Sequence, residues 1–172
     1  MGNPQPKVQE WEIGWLAGML DADGSIMINS HRKHGGKIYV EPHIAIYGTD
    51  VPTLNKLTNI LERMELAHYA DWNGNAHGFK KATGQKRRLW RLKVVGLKRC
   101  DRFTRAFMGF LTTKQPQLEL LVEFVNRRLS KSLPGRGRAL PDYDEREINI
   151  VNEIRILNRG LGSETKRWVP NY

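Results

Sequence analysis

Two carboxylates and a glycine stand close together near the start of the chain, as Asp21, Asp23 and Gly24. Acids in this pattern occur in calcium-binding loops, and also where an ordinary core helix ends in a turn. A complete calcium loop needs further oxygen ligands and a closing glutamate. A basic run, residues 31–33, occupies that region instead. The sequence therefore disfavours a calcium loop and places the two acids at the end of a helix.

The helix that leads to these acids is predicted from apolar residues at helical spacing, namely Trp11, Ile13, Trp15, Leu16, Met19 and Leu20. A further stripe carries small residues and one acid: Gly14, Ala17, Gly18 and Asp21. Glycine inside a helix costs about 1 kcal/mol relative to alanine, so this stripe predicts close contact with a second helix. Gly24 is predicted to end the helix in a left-handed conformation.

The segment at residues 16–24 reads LAGMLDADG. It resembles the LAGLIDADG motif of homing endonucleases at seven of nine positions, and the two differences, Met19 and Leu20, are both apolar. The motif occurs once, without an internal repeat. The resemblance implies an α+β fold with an αββαββα core over about residues 10–130, whose antiparallel sheet forms a saddle over DNA.

The order of predicted elements agrees with that fold. Alternating apolar residues predict strands at residues 25–31, 38–47, 67–72 and 87–95. Helical spacing predicts helices after Thr49 or Asp50 and at residues 97–111, 117–130 and 144–158, the last capped by Asp142 or Asp144. The strands pair as hairpins with helices on one face, which predicts one domain over residues 1–172 with extra C-terminal helices and a basic tail. Pro42 predicts an edge or a bulge.

Composition narrows the class of partner. The 172 residues carry a formal charge of +10 with a pI near 9.9, which favours a polyanion, and nucleic acid before membrane. Ribosomal and thermophilic proteins are also this basic. A single cysteine, Cys100, excludes an internal disulfide and suits a reducing compartment. With no signal peptide or membrane-spanning run, we expect an intracellular protein, cytoplasmic or organellar.

The candidate DNA-contacting residues lie on the two predicted hairpins and in the tail. A two-stranded ribbon fits the major groove, where such side chains read base edges. The set comprises Asn29, His31, Lys33, Tyr39, Glu41, His43, Trp72, Arg87, Arg91 and Lys93, with Lys166 and Arg167 from the tail. Charge runs are more often solvated faces, but these cations alternate along a strand. Glu41 either accepts from a base amine such as that of cytosine or pairs with Lys33 or Arg32.

The resemblance also assigns catalytic residues. It implies that Asp23 and the carbonyl of Ala22 bind a divalent cation, Mg²⁺ or a substitute such as Mn²⁺ or Ca²⁺, and that Asp21 serves helix-end structure. It implies that Lys114 supports the water network near the scissile phosphate, the alternative being a backbone-phosphate contact. The family commonly has a polar residue, usually glutamine, at the end of the second strand. This chain has residues 47–50 there, so the resemblance leaves Tyr47 or Thr49 as candidates for that role.

A single motif carries a single Asp23, whereas a double-strand break needs a metal ligand for each strand. We therefore expect a homodimer through the stripe of Gly14, Ala17, Gly18 and Asp21. The resemblance implies a site-specific double-strand DNA endonuclease of the intron-homing type, which cleaves a long pseudo-palindromic site by metal-dependent hydrolysis and leaves short 3′ overhangs. The alternatives are an intron RNA maturase, a non-catalytic DNA-binding regulator and a ribosomal or structural RNA-binding protein.

Overall fold

The computed structural model describes residues 7–32, 38–73, 89–131 and 142–159. In chain order its elements are α1 (Glu10–Asp23), β1 (Gly24–Arg32), β2 (Ile38–Gly48), α2 (Val51–Arg63), β3 (Tyr69–Asn73), β4 (Leu89–Val95), α3 (Leu97–Phe107), α4 (Gln115–Ser130) and α5 (Glu145–Arg159). This order confirms the predicted α+β class. None of the helices in the described ranges is long and apolar enough to cross a membrane.

The four strands form one antiparallel sheet in the order β1-β2-β4-β3. Both predicted hairpin pairs are present, and β2 and β4 join them at the centre, with Ile46 opposite Leu92. Pro42 lies in this central strand without breaking its register with β1, where it faces Ile28. Pairing of β2 with β4 starts only at His43, so Pro42 stands just past the end of β4. The predicted edge or bulge is not present, because β2 is a central strand in continuous register with β1.

One face of the sheet is apolar and covered by helices. Alternate residues of β1, β2 and β4 are buried there: Ile26, Ile28, Val40, Ile44, Ile46, Trp90, Leu92 and Val94. They pack against Leu16 and Leu20 of α1, Leu57 and Leu61 of α2, Phe103 and Phe107 of α3, and Leu118 and Leu121 of α4. Because side chains alternate along a strand, the residues between them point to the opposite face, called here the outer face.

The end of α1 differs from the prediction at Gly24, whose φ of −91° and ψ of 173° are extended rather than left-handed. Glycine is needed here for space: a Cβ would lie 2.5 Å from the backbone oxygen of Leu20 and 2.4 Å from its Cδ1. The chain passes directly from helix into strand β1, so it turns back onto the last helical turn without a left-handed residue.

Helix α3 ends at Phe107, earlier than predicted, and α4 starts at Gln115. Between them Gly109 adopts a φ of +82°, a value that other residues rarely take. Asp50 caps α2 by accepting a hydrogen bond of 2.9 Å from the Thr53 N–H. This settles the choice between Thr49 and Asp50.

Asp144 caps helix α5 from the position just before Glu145, which settles the other capping alternative. Asp144 and Glu147 exchange hydrogen bonds between side chains and backbone N–H groups at 2.8 and 2.9 Å, a capping box. Glu147 also pairs with Arg128 of α4 at 3.2 Å, and both are buried. These contacts and the Asn158 amide, which donates to the Ile26 carbonyl at 2.7 Å, fasten α5 to α4 and β1.

Candidate active site and nucleic-acid interface

The LAGMLDADG segment ends at a surface. Ala22 and Asp23, the two predicted metal ligands, are both exposed at the C-terminal end of α1. Gly24 then starts β1 opposite Ile46, so the helix ends beside the edge where β2 reaches Tyr47. The carboxyl end of a helix carries partial negative charge from its unpaired carbonyls, which favours a cation there.

Asp21 is used inside the chain. Its carboxylate accepts backbone hydrogen bonds from Thr112 at 2.7 Å and from Lys114 at 2.9 Å. Burial acts to raise the pKa of Asp21, but the backbone N–H donors of this loop outweigh it and the pKa is lowered. The acid therefore stays ionised and anchors the loop between α3 and α4 to the end of α1.

The same contacts place Lys114 beside the metal-ligand candidates. Its ammonium group donates a hydrogen bond to the backbone carbonyl of Asp21, two residues before Asp23. Sequence spacing separates Lys114 from the motif by about ninety positions, and the fold brings them together. A positive charge is thereby held at the helix end that carries the exposed acid.

The donor set at this helix end fits a hard divalent cation in chemistry but supplies few ligands. Within the described ranges, no group of three or more His, Cys, Asp or Glu side chains could hold a metal ion. One carboxylate and one carbonyl from this chain would leave the remaining positions to water and phosphate. That pattern is the usual one for Mg²⁺ at sites of phosphate chemistry.

The outer face of the first hairpin carries most of its predicted DNA-contacting residues. The Asn29 amide donates to Nδ1 of His43 at 2.8 Å, and the rings of His31 and Tyr39 stack with centroids 5.2 Å apart. Glu41 lies 3.7 Å from His31, an ion pair only when the imidazole is protonated. The two cations predicted as ion-pair partners of Glu41 cannot be placed: Lys33 and the side chain of Arg32 lie outside the described residues.

His43 is kept neutral by its surroundings. Burial lowers its pKa to about 4, and the nearby charges of Lys93 and Arg91 act in the same direction. With Nδ1 accepting from Asn29, the ring proton is assigned to Nε2. His43 is therefore a neutral imidazole at physiological pH, and its Nε2 is buried with no hydrogen-bond partner among the described residues.

The outer face of the second strand pair carries Arg91 and Lys93, joined by an acid that the sequence analysis did not select. Asp71 of β3 accepts from Arg91 Nε and Nη2 at 3.2 Å each and from Lys93 Nζ at 2.5 Å. The sequence contains a signal for this residue. Like Glu41, Asp71 is an acid in a predicted strand of a basic ribbon, where an acid is expected to pair with a cation or to accept from a base amine. Tyr47, opposite Arg91, lies on the same face.

Trp72 is the exception among the described candidates. It pairs with Trp90, which is fully buried on the helix-covered face, so its side chain projects from that face rather than from the outer one. The prediction that it is interleaved with Arg91 and Lys93 is wrong, because strand alternation puts Asp71 there instead. Lys33, Arg87, Lys166 and Arg167 lie outside the described residues.

The predicted contact stripe on α1 is present in part. Gly14 and Gly18 are exposed, and a Cβ at either would meet nothing within 4 Å. Ala17 is buried in the chain's own core at 1% exposure, which contradicts its place in the stripe. With 3.6 residues per turn, Ala17 points towards the side of Leu16 and Leu20, whereas Trp11, 62% exposed, lies in line with the glycines.

This architecture is the fold of the LAGLIDADG homing endonucleases. The chain superposes on I-CvuI in complex with its target with a TM-score of 0.61 and 16% identity, over 92% of this chain and 87% of that chain. It matches the homing endonuclease I-TnaI with a TM-score of 0.57 and 13% identity, over 90% and 96% of the two chains.

A third similar structure is the LAGLIDADG homing endonuclease I-SmaMI bound to cleaved DNA, with a TM-score of 0.51 and 15% identity. The match covers 75% of this chain but 39% of I-SmaMI, so this chain corresponds to less than half of that protein. No family model and no curated protein matches the sequence.

Proposed function

We propose that this protein is a site-specific, double-strand DNA endonuclease of the intron-homing type that acts as a homodimer with a divalent cation. The observation that carries the proposal is the combination of two features in one fold. The LAGMLDADG helix ends in an exposed Asp23, and the outer face of the adjoining sheet carries Asn29, His43, Arg91 and Lys93.

The chemistry assigned to the helix end follows from the residues there. Asp23 and the Ala22 carbonyl would hold Mg²⁺, which activates water and stabilises the leaving oxygen in phosphodiester hydrolysis. Asp21 fixes the loop that carries Lys114, and the Lys114 ammonium group brings positive charge to the place where a scissile phosphate would lie. Short 3′ overhangs would follow from cutting both strands across the minor groove.

Dimerisation is supported by the two glycines of α1. Nothing within the described residues requires glycine at Gly14 or Gly18, since a Cβ at either has open space. Each nevertheless costs the helix about 1 kcal/mol relative to alanine. A second copy of α1 packed on the line of Trp11, Gly14 and Gly18 would explain both glycines, because the two backbones could then approach closely. The same two-fold packing would bring two Asp23 side chains together.

The test is cleavage of a plasmid that carries the two flanks of this reading frame joined together, in Mg²⁺ and in EDTA. Wild type should linearise the plasmid only with Mg²⁺. Asp23→Asn should abolish cleavage and leave binding of the same DNA largely intact, because the acid holds the metal rather than a base. Asp101→Asn, which removes an acid from α3, is the matched control and should cleave normally.

Mg²⁺-dependent nicking by pure Asp23→Asn protein would refute the assignment of this acid. Binding of the joined DNA without cleavage by wild type would favour a non-catalytic regulator. Preference for the intron transcript over the duplex would favour a maturase.

A further inference from the structure

Asp71 is an acid at the centre of the basic part of the outer face. It lies directly opposite Arg91 in the pairing of β3 with β4. Its carboxylate receives two hydrogen bonds from Arg91 and one from Lys93. One side chain thus restrains the two described cations that the sequence analysis assigned to DNA contact.

Stability gives a weak reason for such an acid. Asp71 is on the edge strand β3 with 42% of its side chain exposed. Ion pairs that exposed contribute up to about 1 kcal/mol to folding. On a face that meets a polyanion, a carboxylate also repels phosphate and competes for the cations. The side chain of Arg91 lowers the pKa of Asp71, so this negative charge persists at neutral pH.

The geometry of the contact gives a stronger reason. Asp71 binds Arg91 through Nε and Nη2, two positions on one side of the guanidinium group. This contact fixes the plane of the group and leaves the second N–H of Nη2 and both N–H donors of Nη1 directed away from Asp71. A planar fork of this kind is what guanine O6 and N7 accept in the major groove.

We infer that Asp71 is a positioning residue that fixes Arg91 for reading a guanine in duplex DNA, at the expense of general affinity for phosphate. The inference rests on the proposed DNA-binding function and adds a specificity determinant to it. Lys93, tied to the same carboxylate, is kept from binding phosphate indiscriminately.

The first test is selection from a randomised duplex library in EDTA, where no cutting occurs. Wild type should enrich a sequence with guanine at a fixed position. Asp71→Asn should flatten that position and keep the others, and Asp71→Glu, which restores the charge, should recover part of the preference. Asp101→Asn is the matched control: it also removes one negative charge and frees an arginine, Arg105, but on a helix that covers the opposite face.

The second test is affinity for unselected duplex DNA. Asp71→Asn should bind up to about fivefold more tightly than wild type, the equivalent of about 1 kcal/mol. The slope of log Kd against log salt concentration should become steeper in this variant, by the equivalent of about one to two additional phosphate contacts. The reason is that Arg91 and Lys93 are both released from the carboxylate. In the Arg91→Ala background, Asp71→Asn should have no further effect on base preference, since the residue it positions is gone.

Thermal melting and near-ultraviolet circular dichroism check that each variant is folded. Should Asp71→Asn not fold, Arg91→Lys carries the test, since it keeps the charge and removes the fork; it should lose the guanine preference with the salt dependence unchanged. An unchanged consensus in Asp71→Asn, or in Arg91→Lys where that variant stands in, overturns the inference and leaves the proposed function standing. Failure of wild type to enrich any sequence overturns both.

Discussion

At the scale of single residues, burial and charge decide the state of the ionisable groups on the outer face. His43 is held neutral, with a pKa of about 4, mainly by burial. Asp71 and Arg91 both stay charged, because Arg91 lowers the pKa of Asp71 and Asp71 raises the pKa of Arg91. The outer face therefore holds a half-buried, neutral imidazole near a guanidinium group that is hydrogen-bonded to Asp71.

The depressed pKa of His43 predicts a pH dependence of stability. The unfolded chain binds a proton at this residue below the ordinary value of 6.5, while the folded chain resists it down to about 4. Stability should therefore fall as pH is lowered through this window, by at most about 3 kcal/mol from this residue. Urea unfolding of wild type and His43→Gln between neutral and acidic pH measures the difference.

The glutamine variant keeps a polar side chain without a titrating group, so its stability should vary less over the window. Acids with lowered pKa values, such as Asp144, lose their contribution to stability only as the pH falls below their ordinary pKa of 3.8. This range lies below the window of His43, so the two effects can be separated. Parallel loss of stability in wild type and variant would show that His43 is not protonated differently in the two states.

At the scale of elements, the junction between α1 and β1 is tightly packed beside the proposed site. The extended Gly24 turns against Leu20, whose backbone oxygen would lie 2.5 Å from a Cβ. Gly24→Ala should lower the free energy of unfolding by about 1–3 kcal/mol, because the backbone of the last helical turn must shift. Denaturant titration measures this change.

Ser25→Ala is the control for Gly24→Ala. Its hydroxyl is buried and has no hydrogen-bond partner among the described residues, so removing it should change stability by less than about 0.5 kcal/mol. Equal stability of the two variants would mean that the helix end adapts freely. It would then not hold Asp23 in a fixed place.

At the scale of the whole molecule, the exposed stripe on α1 predicts how two copies assemble. Gly18→Leu adds bulk where we propose that two helices meet, and should weaken the dimer at least tenfold, about 1.4 kcal/mol. Double-strand cutting should fall with it, while the open space around Gly18 leaves each subunit folded. Light scattering with and without DNA gives the mass.

Glu62→Leu, which adds a leucine at an exposed position of α2, is the matched control and should leave the mass unchanged. Wild type that stays monomeric on intact DNA while cutting both strands would contradict the dimer. Retention of full dimer by Gly18→Leu would place the contact elsewhere.

The sequence by itself determined the features that depend on neighbours along the chain. Alternation fixed β1, β2 and β4 and their buried faces, and capping residues such as Asp50 and Asp144 located helix starts within a residue or two. The motif indicated which helix end carries the exposed Asp23. These are local effects of backbone geometry and side-chain period, so a single sequence expresses them.

Only the tertiary structure decided what depends on contacts across the chain. The binding of Lys114 to Asp21, the pairing of Asp71 with Arg91 and the burial of Ala17 all depend on which elements pack together. The placement of Trp72 depended on strand register, where a shift of one residue exchanges the two faces. Short-range pattern cannot carry this information, because the partners lie many residues apart and are selected by the packing of the whole core.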